Sequence, residues 1–208
     1  MSNHITDNSQ HKAAKVAGII FLFSLIVPSL NWAFILSKLV VAENAIATAN
    51  NIMANVFQFR IGIMVELIMS VGLVILGLAL YIILKPVDEK SALLALLLNL
   101  VEATIAAAIV LVSFITLQIA SGVVEISIFS PEQLQTPVGL ILNIHTAVFS
   151  VPMVFLGLDM MIFSYLFYKS KYIPRILAFF GVISFALIFI HALMFILTPR
   201  YATMPVNQ

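Results

Sequence analysis

Five ionisable residues lie inside long apolar stretches of this 208-residue chain: Glu66, Glu102, His145, Asp159 and His191. Carboxyl and imidazole groups serve proteins as general acids and bases, as proton relays and as ligands for divalent metals. They are costly to bury in an apolar environment unless they are paired or neutralised. These five residues are therefore the first candidates for chemistry.

Helical spacing places each of these residues on a stripe of small or polar side chains. Residues three, four or seven positions apart share one face of an α-helix, and the remainder of each helix is mainly Leu, Ile, Val, Phe and Met. The stripes are Ser24, Pro28 and Asn31; Gly62, Glu66, Ser70 and Gly77; Asn99, Glu102, Ala106 and Ser113; His145, Pro152 and Asp159; and Gly181, Ser184 and His191. We expect every stripe to face the protein interior, where small residues allow close packing and polar ones find partners.

The composition predicts that these helices cross a membrane. Hydrophobic residues make up 62% of the chain, charged residues only 9%, and the mean hydropathy is +1.15. A soluble domain would be about a quarter charged. The net charge of +1 gives no basis for nucleic-acid binding. The chain has no cysteine, which excludes disulfides, thiolate catalysis, iron–sulfur clusters and cysteine-ligated zinc.

We predict an all-α polytopic transmembrane bundle that forms a single domain over residues 1–208. A span needs roughly 20 apolar residues, and five segments qualify: 16–36, 61–84, 92–120, 141–168 and 176–197. Pro28 is expected to kink the first span, which reads as uncleaved rather than as a signal peptide, and Pro152 could break the fourth. Short interfacial helices are expected at residues 45–57 and from Ser130, and they could form a lid over the outer end.

The positive-inside rule predicts a cytoplasmic N-terminus and an external C-terminus. In that orientation the inner loops hold seven basic residues and the outer loops three. The inner ones are Lys12, Lys15, Lys85, Lys90, Lys169, Lys171 and Arg175, and the outer ones are Lys38, Arg60 and Arg200.

Depth along the helices predicts which ionisable residues meet. At 1.5 Å per residue, Glu102 lies about 16 Å from Ser91, and Asp159 lies about 15 Å from Lys169. Both carboxyls are thus expected near the membrane midplane, where two close carboxylates cannot both ionise. Glu66 and His191 are expected in the outer half, and His145 near the outer rim.

We therefore take Glu102, Asp159 and His191 as candidate catalytic or ligand-binding groups, with Asn99, Glu66 and Asn31 as supporting polar residues. His145, His191 and Glu66 are candidate metal ligands, and the two histidines could hold a haem. The sequence assigns no cofactor. The alternative interpretation is that these groups only join helices by hydrogen bonds.

An ordered set of short motifs resembles a known family. The motifs are Lys12-x-Ala-x-x-Ala-Gly, Ala45-x-Ala-Thr-Ala-Asn-Asn-Ile, Arg60-x-Gly, Ala79-Leu-Tyr, Leu84-Lys-Pro-Val, Val101-Glu-Ala, Ser130-Pro-Glu-Gln-Leu-Gln, His145 and Tyr168-Lys-Ser-x-Tyr-Ile-Pro-Arg-Ile-Leu. Over nearly the whole chain they resemble the bacterial membrane-protein family called domain of unknown function 4386. The resemblance implies a bacterial inner-membrane protein and no particular activity. Members often carry His at the position of Asp159 and Asp at that of His191, which implies that these two side chains touch.

Three functions remain open at this point. The first is an intramembrane acid/His site that binds or transforms a small apolar or lipidic ligand. The second is a proton-coupled carrier, which at this size and without an inverted repeat would be a homodimer. The third is a non-enzymatic accessory subunit of another membrane complex.

Overall fold

The computed structural model describes residues 3–41, 44–120 and 148–198. In this part of the chain the secondary structure is helical, with no strand. The helices are α1 (Asn3–Asn31), α2 (Ala45–Ala54), α3 (Val56–Leu84), α4 (Glu89–Ala120), α5 (Ser150–Ser170) and α6 (Arg175–Leu197). The predicted all-α fold is confirmed.

Among the residues that the structure describes, five helical segments are long and apolar enough to cross a membrane. They are Asn8–Leu39, Val56–Leu84, Glu89–Gln118, Ser150–Ser170 and Arg175–Leu197. The predicted number of spans agrees with this finding, and the chain is a multi-pass membrane protein. The structure lengthens the first three spans, because polar residues at the membrane surface continue the helices.

Pro28 does not end the first helix. Helix α1 runs through it, and a π-helical turn (Trp32–Leu36) and a short α-helical turn (Ser37–Leu39) then extend the same segment. Pro152 lies in the first turn of α5, where its missing N–H has no helical partner to lose. The predicted start of the fourth span, at residue 141, lies outside the described residues.

The chain divides into two compact units. The first contains residues 1–21, 73–105 and 150–208, and the second contains residues 22–72 and 106–149. Because α1, α3 and α4 each contribute to both, the units are not consecutive lengths of chain. The prediction of a single domain stays a prediction.

The core of the first unit lies towards one end of α3, α4 and α5. Its buried apolar residues are Ala13, Ala17, Leu76, Ala79, Leu80, Ile83, Leu84, Ala92, Ala95, Met160, Phe163 and Leu166. At that end Lys169 pairs with Asp88 at 3.9 Å, and the Gln10 side chain donates to the Ile83 carbonyl at 3.1 Å. These contacts bring the N-terminal segment, the α3–α4 turn and the end of α5 to one side.

Asp88 begins α4. Its Oδ1 accepts a hydrogen bond from the Ser91 N–H at 3.2 Å and so satisfies one of the free amides of the first turn. This bond, and more weakly the charge of Lys169, lowers the pKa of the Asp88 carboxyl below its usual range. The capping carboxylate sits where the positive end of the helix dipole also favours it.

The second unit has its own apolar core of Leu39, Ile52, Phe59, Ile63, Val110 and Leu117. Helix α2 contributes Ile52 to this core and forms in the segment 45–57 that was predicted to be helical, but it ends at Ala54. Asn44 caps it, with Oδ1 accepting from the Ala47 N–H at 2.9 Å. Its position at the membrane interface stays a prediction. Ala49 and Ile52 are fully enclosed, whereas Ile46 and Phe57 are exposed. The second interfacial helix, from Ser130, lies outside the described residues, so the lid stays a prediction.

Candidate functional site

The candidate site begins where the side chain of Asn99 on α4 lies against the backbone of α3. Asn99 is only 1% exposed. A Cβ atom added to Gly77 would stand 2.7 Å from the Asn99 Cγ and would overlap its Oδ1. The amide therefore occupies the space that the missing Gly77 side chain leaves, and any larger residue there would displace it.

Glu102 lies one helical turn beyond Asn99 and is 4% exposed. The Asn99 Nδ2 donates to Glu102 Oε2 at 3.3 Å. The spacing of three residues on α4 makes this contact possible, because such residues are neighbours on one helical face. The amide and carboxyl predicted to share a stripe are thus joined directly.

Asp159 brings the second carboxyl to the cluster from α5. It is fully buried, and its Oδ1 accepts from the Met160 N–H at 2.6 Å. Its carboxyl interacts with the side chains of both Glu102 and Asn99. We call Asn99, Glu102 and Asp159 the acid–amide cluster.

Two oxygens near this cluster have no hydrogen-bond donor among the described residues: Asn99 Oδ1 and Asp159 Oδ2, both enclosed. Turning the Asn99 amide over would place an oxygen against Glu102 and leave Nδ2 in the unpaired position, so one atom stays without a partner either way. Buried polar atoms are nearly always hydrogen-bonded. These two call for a donor.

The described residues supply no positive charge to this cluster. Their two ion pairs, Lys85–Glu89 and Lys169–Asp88, lie at the ends of the helices. Two contacting carboxylates without a cation repel each other strongly in a medium of low dielectric. The pair must therefore hold a proton, and as a carboxylic acid one member becomes a hydrogen-bond donor.

His191 does not join the acid–amide cluster, and this corrects the expected orientation of α6. Its side chain and that of Ser184 are exposed, whereas Ala178 and Ala192 are buried at 1% and 2% exposure. The small alanines, rather than the polar stripe, decide which face of α6 packs. The implied contact of Asp159 with His191 is not formed in the described structure, where the Asp159 carboxyl interacts with Asn99, Glu102 and the Met160 N–H.

Glu66 and Asn31 belong to the second unit. Asn31 is buried near Gly62, whose added Cβ would lie 3.6 Å from the Asn31 Oδ1, and that oxygen has no donor among the described residues. Glu66 is partly buried, and its carbonyl accepts from the Ser70 hydroxyl at 3.0 Å. Each residue lies on the interior face predicted by its stripe.

The candidate metal ligands do not assemble in the described part of the chain. No group of three or more His, Asp or Glu side chains there could hold a metal ion. His145, needed for the two-histidine haem and for the metal site, lies outside the described residues. Both sites stay predictions.

Gly157, which no sequence pattern singled out, permits α5 and α6 to touch. A Cβ on Gly157 would lie 2.7 Å from the Phe189 Cβ and 2.8 Å from its backbone atoms. The available signal lies on the partner helix. Ala178 and Ala192 are two small residues on one face of α6, and such a face allows a neighbouring helix to approach closely.

A model of a protein family matches residues 16–207 of this chain. No curated protein and no solved structure matches it. The match covers the first candidate span from residue 16 onward, the other four spans completely, and the whole acid–amide cluster. The motifs noted in the sequence and this match agree, and the chain belongs to the family described as "Domain of unknown function (DUF4386)".

Proposed function

We propose that the acid–amide cluster binds a small apolar or lipidic ligand inside the membrane and exchanges a proton with it. The observation that carries the proposal is the enclosed Asn99 Oδ1, which has no donor among the described residues even when the shared proton of the two carboxyls serves Asp159 Oδ2. A ligand hydroxyl or ammonium group would satisfy it, while an apolar body would suit the surrounding helices.

The chemistry available to a bound ligand is acid–base chemistry. Glu102 and Asp159 lie on different helices, with no cation beside them among the described residues. Two such close carboxyls cannot both ionise, so one can donate a proton while the other accepts it. Asn99 contacts both and can orient them. His191, initially expected in this role, is exposed and is therefore left out of the proposed site.

We place the cluster in a bacterial inner membrane with the N-terminus in the cytoplasm. The contacts Gln10–Ile83 and Lys169–Asp88 support a common side for three segments that carry most of the Lys and Arg residues. The positive-inside rule assigns that side to the cytoplasm. With five spans, the C-terminus then lies outside.

The test is mass spectrometry of lipids and small molecules that copurify with the protein. Wild type is compared with Glu102→Gln and Asp159→Asn, which keep the side-chain shape but cannot share the proton. Ser113→Ala is the matched control, because Ser113 is also buried on α4 but lies about 16 Å further along the helix. We expect a defined molecule to be lost from both cluster variants and kept by the control. Equal amounts in all four proteins would refute the proposal.

A second candidate, a proton-coupled carrier, is favoured by the pairing of two carboxyls without a cation among the described residues. Such a pair can load and release a proton as a transported solute binds. Reconstituted vesicles distinguish the two functions. A carrier would move a solute in response to a pH gradient and lose that dependence in Asp159→Asn, whereas a binding protein would show no such flux.

A further inference from the structure

The acid–amide cluster is separated from one end of its own unit by buried apolar side chains. In that direction, the residues that follow Gly77 by three and seven, precede Asn99 by four and seven, and follow Asp159 by four and seven share the helical faces of these three residues. None of the six is more than 7% exposed, and all belong to the core of the first unit. We call them the apolar plug: Leu80, Leu84, Ala92, Ala95, Phe163 and Leu166.

The apolar plug extends from the cluster to the charged end of the same helices. Leu84 directly precedes Lys85, and Leu166 lies three residues before Lys169. We call this end, with Lys85, Lys90 and Lys169, the basic end. Seven residues of helix are about 10 Å long, so about two helical turns of apolar packing lie between the basic end and the cluster.

Polar side chains beside the plug do not bridge it. The Tyr81 ring lies against Lys85, whose Nζ stands 5.9 Å from the ring centroid, so its hydroxyl belongs to the basic end. The Ser164 Oγ faces α6, where it lies 2.8 Å from the position of a Cβ at Gly181. An enclosed water molecule makes about three hydrogen bonds to polar groups, and a proton relay inside a membrane needs a chain of ionisable side chains. The six plug residues supply neither.

We propose that the acid–amide cluster exchanges its proton and its ligand only with the side of the membrane opposite the basic end. Asn99 and Asp159 are at most 1% exposed, and the plug closes the direction of the basic end, so an exchange route leaves the cluster the other way. The part of this inference that concerns the ligand rests on the function proposed above, whereas closure of the basic end does not. With that end in the cytoplasm, the ligand is a molecule that reaches the protein from outside the cell.

A series of single cysteines along α4 tests this closure, because the chain has no cysteine of its own. Lys90→Cys lies at the basic end, Ala95→Cys in the plug, and Asn99→Cys and Glu102→Cys in the cluster. Each variant is treated with a small, positively charged, membrane-impermeant methanethiosulfonate. The reagent is applied to spheroplasts, which expose one face of the membrane, and to inverted vesicles, which expose the other. Mass spectrometry of the intact protein measures the modified fraction.

Two controls make the series interpretable. Lys90 is exposed, so Lys90→Cys identifies the preparation in which the basic end is accessible. Leu97→Cys is the matched control for depth, since Leu97 is on the same helix near Asn99 but is 52% exposed on the outer surface of the bundle. A thiol that faces lipid should not react from either face. Complete reaction of every variant after denaturation confirms that each thiol is intact.

The expected pattern is a change of side along one helix. Lys90→Cys reacts from one face only, and Asn99→Cys and Glu102→Cys react only from the other, while Ala95→Cys is not modified from the Lys90 face. Modification of Ala95→Cys or of either cluster thiol from the Lys90 face would overturn the proposal, because the plug would then be open. Cluster thiols that react from neither face would overturn it as well, since no aqueous route would lead to them.

The two cluster thiols are independent reporters, so a variant that fails to fold leaves the other to decide. No ligand enters these measurements. Failure of the proposed function would instead be seen as equal amounts of copurified molecules in wild type and the cluster variants. The closure of the basic end and the binding of a ligand can therefore fail separately.

Discussion

The amide of Asn99 occupies the position that a side chain at Gly77 would need. The Asn99 Cγ stands 2.7 Å from an ideal Gly77 Cβ, and Asn99 in turn donates to Glu102. A residue without a side chain on α3 therefore determines where the polar groups of α4 can lie. The geometry of the acid–amide cluster depends on this contact even though Gly77 has no functional group.

Gly77→Ala should destabilise the protein and disturb the cluster. The added methyl group overlaps Asn99, and overpacking of this kind costs about 1–3 kcal/mol, more than the gain of up to about 1 kcal/mol from replacing Gly by Ala in a helix. Thermal unfolding in detergent measures the change. Gly18→Ala is the control, since a Cβ at Gly18 meets nothing within 4 Å; the contact would lose its assigned importance if both variants behaved alike.

The same contact predicts a coupling between two substitutions. Asn99→Ala removes the atoms that the Gly77→Ala methyl group strikes, so the double variant should be more stable than the sum of the single changes predicts. A double-mutant cycle measured by thermal unfolding gives the interaction free energy. Additive effects would show that Gly77 and Asn99 do not constrain each other.

The residues of the acid–amide cluster could be predicted from the sequence because helical spacing and depth along a helix are local properties. Asn99 and Glu102 are three residues apart on α4, which puts them on one face, and the rise per residue gave Asp159 a similar depth. The five spans followed from apolar length. What the sequence could not supply was the Asn99–Gly77 contact, which depends on how closely two helices approach.

His191 shows why the polar-stripe rule failed on α6. This helix is apolar on nearly every side, so hydrophobicity does not distinguish a buried face. Close packing of Ala178 and Ala192 decided the orientation instead and left Ser184 and His191 exposed. The rule held on α4 because Asn99, Glu102 and Ser113 there coincide with the face that packs.

The shared proton predicts an infrared signal. A protonated carboxylic acid in an apolar environment has a C=O stretch separate from those of carboxylates and amides, and it should be present in the wild-type protein near neutral pH because the pair cannot ionise completely. Glu102→Gln and Asp159→Asn should each alter or remove it. Persistence of the full signal in the double variant would assign it to another group.

His191→Ala should leave that infrared signal unchanged. His191 is exposed and does not interact with Asp159 in the described structure, so removing its imidazole takes no partner from the acid–amide cluster. The same sample also gives the copurified ligand by mass spectrometry. A shift in the signal or loss of the ligand would instead favour the original expectation of an acid–histidine site.

Asp88 predicts a pH dependence at the surface end of α4. Its pKa is lowered in the folded protein by the Ser91 N–H, so its carboxylate stabilises the fold above the unfolded-state pKa of about 4. That contribution is lost as the pH falls through the folded-state value. Asp88→Asn keeps a capping side chain but does not titrate, so the difference in Tm between it and wild type should shrink on acidification. A Tm difference that stays constant from pH 6 to pH 3 would show that the Asp88 carboxylate does not provide this stabilisation.

Gly157→Ala tests whether α5 and α6 need their close contact. The methyl group would meet Phe189 at its Cβ and at its backbone nitrogen and Cα, all within 2.8 Å. Because backbone cannot rotate away, the helices must separate, and we expect a loss of about 1–3 kcal/mol in unfolding free energy. Gly181→Ala is the informative comparison, since its Cβ would meet only the Ser164 side chain, with Oγ at 2.8 Å. A hydroxyl can change rotamer at smaller cost, so Gly181→Ala should be the milder change. If Gly181→Ala were the more destabilising change, the close backbone contact at Gly157 would not be what limits the approach of α5 and α6.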